Sequence, residues 1–211
     1  MILLITSLII AAIAFFGSLL AFALAKKAGF VEESFTKAII MTSALSGIVC
    51  GISAYIHENQ VTAQVLDIIL AVFMTLLAFT DIKKHIVPNR ILFVMLICFL
   101  AVAGIGMIAD IENGLRLIFT SLAGSLFCGM VFLLCYVISR HQLGGGDVKL
   151  SFLMGLYLGG SRVIAALVYG MILCLVYSLV KLARKKITIR DGVPLVPFLW
   201  IGTMITLIVA A

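Results

Sequence analysis

Residues 2–25 contain no charged side chain, and Lys26-Lys27 close the run. Comparable runs follow at 38–56, 61–80, 91–109, 116–138 and 163–180, with a last one opening at Pro194. About 20 apolar residues make a helix long enough to cross the ~30 Å hydrocarbon core of a bilayer. The chain is 64% apolar and 11% charged, with a mean hydropathy of +1.30. A soluble domain is nearer half apolar and a quarter charged, so these runs describe a polytopic membrane protein. Ala23-Leu24-Ala25 has the look of a signal-peptidase site, but no positive segment precedes the run, which is too long for a signal peptide. It reads as a retained first span. Ser43, Ala44, Ser46, Gly47, Gly51 and Ser53 give the second span a small-residue face suited to close helix packing.

A shorter element lies between the fifth run and 163–180. From Asp147 to Gly160 there are 14 residues, or roughly 21 Å of helix, and Gly159-Gly160 interrupts it. Either it crosses a thinned region or it re-enters. Counting it, the expectation is an all-α bundle of about eight membrane helices, one of them short. Residues 1–211 form one integral-membrane domain, with two spans in 1–60 and a six-helix core in 61–211.

Of the 15 Lys and Arg residues, 13 fall in the alternate loops 26–37, 81–90, 140–149 and 181–190, and only Arg116 and Arg162 in the others. Basic residues collect in cytoplasmic loops. The net charge of +6 is therefore topological and implies no nucleic-acid partner. It places those four loops inside and both termini outside. Cys50, Cys98, Cys128, Cys135 and Cys174 sit in apolar runs without a CxxC pair, and read as small core hydrophobes. Asp67, near the start of the third span, reads as a structural helix-end carboxylate that can reach water.

Two polar islands lie on the predicted inner face. The first is Asp81-Ile82-Lys83-Lys84-His85-Ile86-Val87-Pro88-Asn89-Arg90, where Pro88 disfavours helix at Val87 and turns the chain. The second is Leu143-Gly144-Gly145-Gly146-Asp147-Val148-Lys149-Leu150. Three glycines make poor membrane helix, and the apolar run that follows puts Asp147 at the first turn of one. Asp81 closes the third span. If the two helices pack together, their carboxyls share a partly desolvated cleft, where both cannot easily ionise and one proton is held between them. That is the working state of an aspartic protease. The glycines would lie extended and lend a substrate backbone hydrogen bonds, as a strand edge does. The residues alone leave a second reading open, in which both aspartates are solvated helix ends and the glycines a loop.

These islands resemble the motifs of the type IV prepilin peptidases, a branch of the GxGD membrane aspartyl proteases. Gly144-Gly145-Gly146-Asp147-Val148-Lys149-Leu150 is similar to that family's G-x-G-D-x-K-hydrophobic motif. Asp81, with Pro88-Asn89 after it, is similar to its second motif, although Val87 stands where Ile is usual. Val193-Pro194-Leu195-Val196-Pro197-Phe198 resembles the proline-containing entry to its final span. The resemblance implies a catalytic pair of Asp81 and Asp147 facing the cytoplasm in a bacterial cytoplasmic membrane. It implies substrate contacts at Gly144, Gly145, Gly146, Lys149, Pro88 and Asn89, with Lys149 tuning the pair or snorkelling to a phosphate. No metal or organic cofactor is implied. The substrates would be prepilin-like single-span proteins, relieved of a short basic leader. Many bacterial members carry an N-methylating domain with paired CxxC motifs between the first two spans. The corresponding loop has about ten residues and no cysteine, so a peptidase without methyltransferase activity is expected.

Two other readings compete. Presenilin-type proteases share GxGD but have Tyr-Asp where Thr80-Asp81 stands, and a Pro-Ala-Leu turn absent from this sequence. An ion-coupled transporter also uses carboxylates and broken helices, though near the midplane and within inverted repeats.

Overall fold

The apolar runs fold as helices whose ends fall at the polar and proline-bearing breaks between them. The computed structural model describes residues 2–27, 29, 36–56, 61–138, 143–184 and 193–209. Among them are seven helices and no strand: α1 (Ile2–Lys27), α2 (Thr36–Ile56), α3 (Val61–Lys84), α4 (Asn89–Ala109), α5 (Ile111–Ile138), α6 (Gly145–Ala183) and α7 (Val196–Val209). The first six are long and apolar enough to cross a membrane, and α7 is a shorter apolar helix. The expected polar turn at His57–Gln60, Glu32, Glu33, Arg140, Lys185, Lys186 and Arg190 lie outside the described residues.

One expectation about the helices changes. The sequence suggests a loop from Asp110 through Gly114, yet only Asp110 is non-helical. Its side chain explains this: Oδ1 accepts the Asn113 backbone N–H at 3.2 Å and Oδ2 the Asn113 side-chain amide at 2.7 Å, so α5 starts at once. Those bonds hold the Asp110 carboxyl below its ordinary range. The sixth and seventh expected elements are both present, contiguous in sequence as the two arms of α6. The break survives inside α6 as Gly159, at φ 72° and ψ −176°, a conformation essentially reserved for glycine.

Contacts along the helices show that the chain reverses at Gly159. Gly124 and Gly129 of α5 meet Gly159 and Phe152 respectively, so the arm of α6 before the break runs antiparallel to α5. This arm starts beside Val87, which follows α3, at Gly146. Arg162, just past the break, reaches Asp67 near the other end of α3 at 2.7 Å. The arm therefore descends the ~21 Å that separates Asp81 from Asp67 on α3. The arm after the break returns. Gly202 packs on Ala166, Gly170 on Leu199, and the Tyr177 ring on that of Phe198 with centroids 5.2 Å apart. In the same way Gly47 and Gly51 of α2 lie on Phe15, Ala11 and Ser7 of α1. Ser46 faces Thr75, and Gly106 of α4 faces Thr62 of α3. Successive segments thus alternate in direction, with Asp81 and Asp147 at one end of the bundle.

Small residues set the spacing of α5 against α6. A Cβ on Gly155 would fall 2.5 Å from both the Gly124 carbonyl oxygen and the Ser125 Cα. Those are backbone atoms, which cannot move aside. Such approach is how apolar helices associate where lipid is as greasy as leucine. The second constraint is ionic. Asp67 is 4% exposed and does not reach water as the sequence suggests, because Arg162 reaches it across the bundle.

Two outcomes follow for detergent-solubilised protein. Gly155→Leu should wedge α5 from α6 and cost about 1–3 kcal/mol or more, whereas Gly104→Ala, with nothing within 4 Å of the new methyl, should be neutral or slightly stabilising. Thermal unfolding of the two variants checks this. Arg162→Met alone should destabilise by about 3–5 kcal/mol by stranding the Asp67 charge, and adding Asp67→Leu should restore most of the loss, measured as a double-mutant cycle.

Candidate active site

Asp81 lies one turn inside α3, because the helix continues past Thr80 to Lys84. It is 5% exposed. His85 ends the helix in the left-handed region, φ 48°, with its N–H donating to the Asp81 backbone carbonyl at 2.9 Å. Pro88 then precedes α4 in extended conformation and its carbonyl accepts the N–H groups of Ile91 and Leu92. The turn expected at Val87-Pro88 is there, and it brings Val87 inward, buried.

The start of α7 is built around the Asp81 side chain. The first backbone donors of a helix have no intrahelical partner. In α7 Pro197 has no N–H to satisfy, the N–H groups of Phe198 and Leu199 donate to the Leu195 carbonyl, and the Val196 N–H donates to Asp81 Oδ2 at 3.0 Å. A second bond lower down sets the same register. Trp200 Nε1–H donates to Thr75 Oγ1 at 3.0 Å. Thr75 gives its own proton to the Ala71 carbonyl at 2.7 Å, so Ser46, 2.7 Å away, also donates to it. α2, α3 and α7 are joined by this buried knot beneath Asp81.

Asp147 comes from α6. Gly144 precedes the helix in extended conformation (φ −66°, ψ 131°), and its carbonyl accepts the Asp147 N–H at 3.0 Å. The carboxyl is thus in the first turn, as the sequence indicates, where the helix dipole favours negative charge. Only the first of the three glycines lies extended, however. Gly145 and Gly146 already belong to the helix, because Gly144 supplies the bond that starts it.

Each glycine has a distinct surrounding. A Cβ on Gly146 would come within 2.8 Å of the Val87 Cβ, and one on Gly144 within 3.0 Å of Asp147 Oδ2, while around Gly145 nothing lies within 4 Å. Gly146 is therefore where α6 closes on the turn after α3. Beside it Lys149 Nζ donates to Asn89 Oδ1 at 3.0 Å, joining the two polar islands a second time. Pro88 lies next to this link as the residue that starts α4. Among the described residues no three His, Cys, Asp or Glu side chains converge to hold a metal.

Sequence reasoning missed Val196, Thr75 and Trp200 as partners of the site. Pro197 was the available signal, because a proline in a first turn leaves a different backbone donor to be satisfied by the rest of the fold.

A model of the type IV leader peptidase family matches residues 68–179, a stretch that contains both Asp81 and Asp147. The prepilin leader peptidase/N-methyltransferase of Bacillus subtilis (strain 168) is 27% identical over 162 residues, covering 77% of this chain and 59% of that protein. The chain thus spans less than two thirds of that relative's length. No solved structure matches it significantly. Since the family model covers more than half of the sequence, the chain belongs to the type IV leader peptidase family.

Proposed function

We propose that this protein is a membrane aspartyl endopeptidase that removes the short basic leader of prepilin-like, single-span precursors. The observation that carries the reading is the placement of Asp81 and Asp147 at one end of the bundle, where Gly146 packs on Val87 and Lys149 bonds to Asn89. Asp81 is held by the Val196 N–H and Asp147 by the first turn of α6. In this mechanism the ionised member of the pair takes a proton from water as the water oxygen attacks the scissile carbonyl. The protonated member donates to the carbonyl oxygen. The tetrahedral intermediate then collapses as the leaving nitrogen accepts a proton and the carbonyl reforms. Which aspartate begins with the proton does not alter this balance.

The site faces the cytoplasm in this account, with both termini outside. Lys26, Lys27, Lys83, Lys84 and Lys181 close helices that end on the side of the aspartates, and basic residues favour the cytoplasmic side. A basic leader waits on that face. Gly144 and Gly145, both exposed, offer backbone to the substrate, and Pro88, Asn89 and Lys149 line its path. The eight-residue α1–α2 connection, free of cysteine, supports cleavage without N-methylation.

The experiment is a cleavage assay with membranes and a prepilin-like precursor. Asp81→Asn and Asp147→Asn, at equal abundance, should each lower the cleavage rate by roughly a thousandfold or more. Survival of cleavage in either variant would remove that aspartate from the mechanism. The glycines divide sharply in the same assay. Gly145→Ala should keep activity within about threefold, while Gly146→Ala, pressed on Val87, should lower it at least about tenfold through a misplacement near 1 Å.

A further inference from the structure

Between the halves of α4 and α5 nearer the aspartates the bundle opens into a groove of about 590 Å³. Leu92 and Leu96 of α4 form one wall and Leu126, Met130 and Leu133 of α5 the other. Phe152 of α6 makes the floor, its ring lying against Gly129. Among the described residues the polar lining side chains are Asn89 and Lys149, bonded to each other at the mouth. Val148 and Lys149 directly follow Asp147, so the groove begins where the candidate site ends.

We propose that this groove seats the apolar helix of the single-span substrate, the segment just after the bond to be cut. The proposal rests on the reading of Asp81 and Asp147 as the cutting pair. Three features select a helix as the occupant. The wall positions 89, 92 and 96, and 126, 130 and 133, repeat at three, four and seven residues, the spacing by which one helix face reads another. They extend over two turns, about 10 Å, which matches the first turns of a docked helix. Finally, the walls are open sideways, with Leu126 59% and Met130 62% exposed, so a helix already in the bilayer enters laterally. A lipid chain would fill apolar space but has no reason to be continuous with Asp147.

The test uses the full chain carrying Asp147→Asn, so that substrate is held uncut, with p-benzoylphenylalanine in place of Met130 or Leu96. A third site, Phe16 on α1, is similarly exposed at 67% but on a helix that packs against α2 and α3. Irradiation with a prepilin-like precursor should give adducts from positions 96 and 130, mapping to the first two turns after the leader junction, and none from position 16. In the otherwise native enzyme, Leu96→Trp should fill the groove, raising KM about tenfold with kcat within about twofold. Adducts to lipid alone, equal adducts from position 16, or an unchanged KM would overturn the groove assignment while wild-type cleavage stood. A wild-type protein that cleaved no precursor would overturn the peptidase reading, and the groove with it.

Discussion

The hydrogen bond from the Val196 N–H to Asp81 ties together parts of the molecule that lie far apart in sequence. It joins α3 to the start of α7 across 115 residues. It also answers a requirement on each side: a helix start needs an acceptor, and a buried carboxylate needs a donor. Neither need is met by neighbouring residues, because Pro197 removes one donor and Leu195 absorbs the next two. The Thr75–Trp200 bond sits one turn further along α7 and keeps its register. Asp81 is thus fixed by two layers of hydrogen bonding.

Asp147 is delivered by a different device. α6 is bent back on itself at Gly159, and its first arm lies so close to α5 that glycine carbonyls and Cα atoms touch. The arm's depth is fixed at its far end by Arg162 on Asp67 and at its near end by Gly146 on Val87 and Lys149 on Asn89. A helix held at both ends has little freedom to slide, so the first-turn carboxyl is placed by the whole arm. Tyr157, whose hydroxyl donates to the Met95 carbonyl at 2.7 Å, ties the same arm to α4. Polar contacts at intervals along an apolar interface supply the directionality that dispersion lacks.

Much of this was legible in the residues. Apolar runs located the helices because their length is set by bilayer thickness, and Pro88 and Asp147 marked a turn and a helix start for local reasons. The tertiary partners were not legible. Nothing near Asp67 in sequence announces Arg162, 95 residues on, and the sequence therefore suggests water as its partner. Gly144-Gly145-Gly146 suggested extended chain because glycine lacks helix propensity, but packing against Val87 overrode propensity. Likewise Gly159-Gly160 was visible as an interruption, while its outcome, a reversal between two helical arms, depends on α5 and α7 as neighbours.

The central claim is that Asp81 and Asp147 work as one unit, brought together by these two devices. Single-turnover cleavage rates of a prepilin-like precursor by Asp81→Asn, Asp147→Asn and the double variant test it most directly. Groups that act together are grossly non-additive, so the double variant should be no slower than the slower single one. Losses that add in free energy, each aspartate contributing independently of the other, would contradict the account.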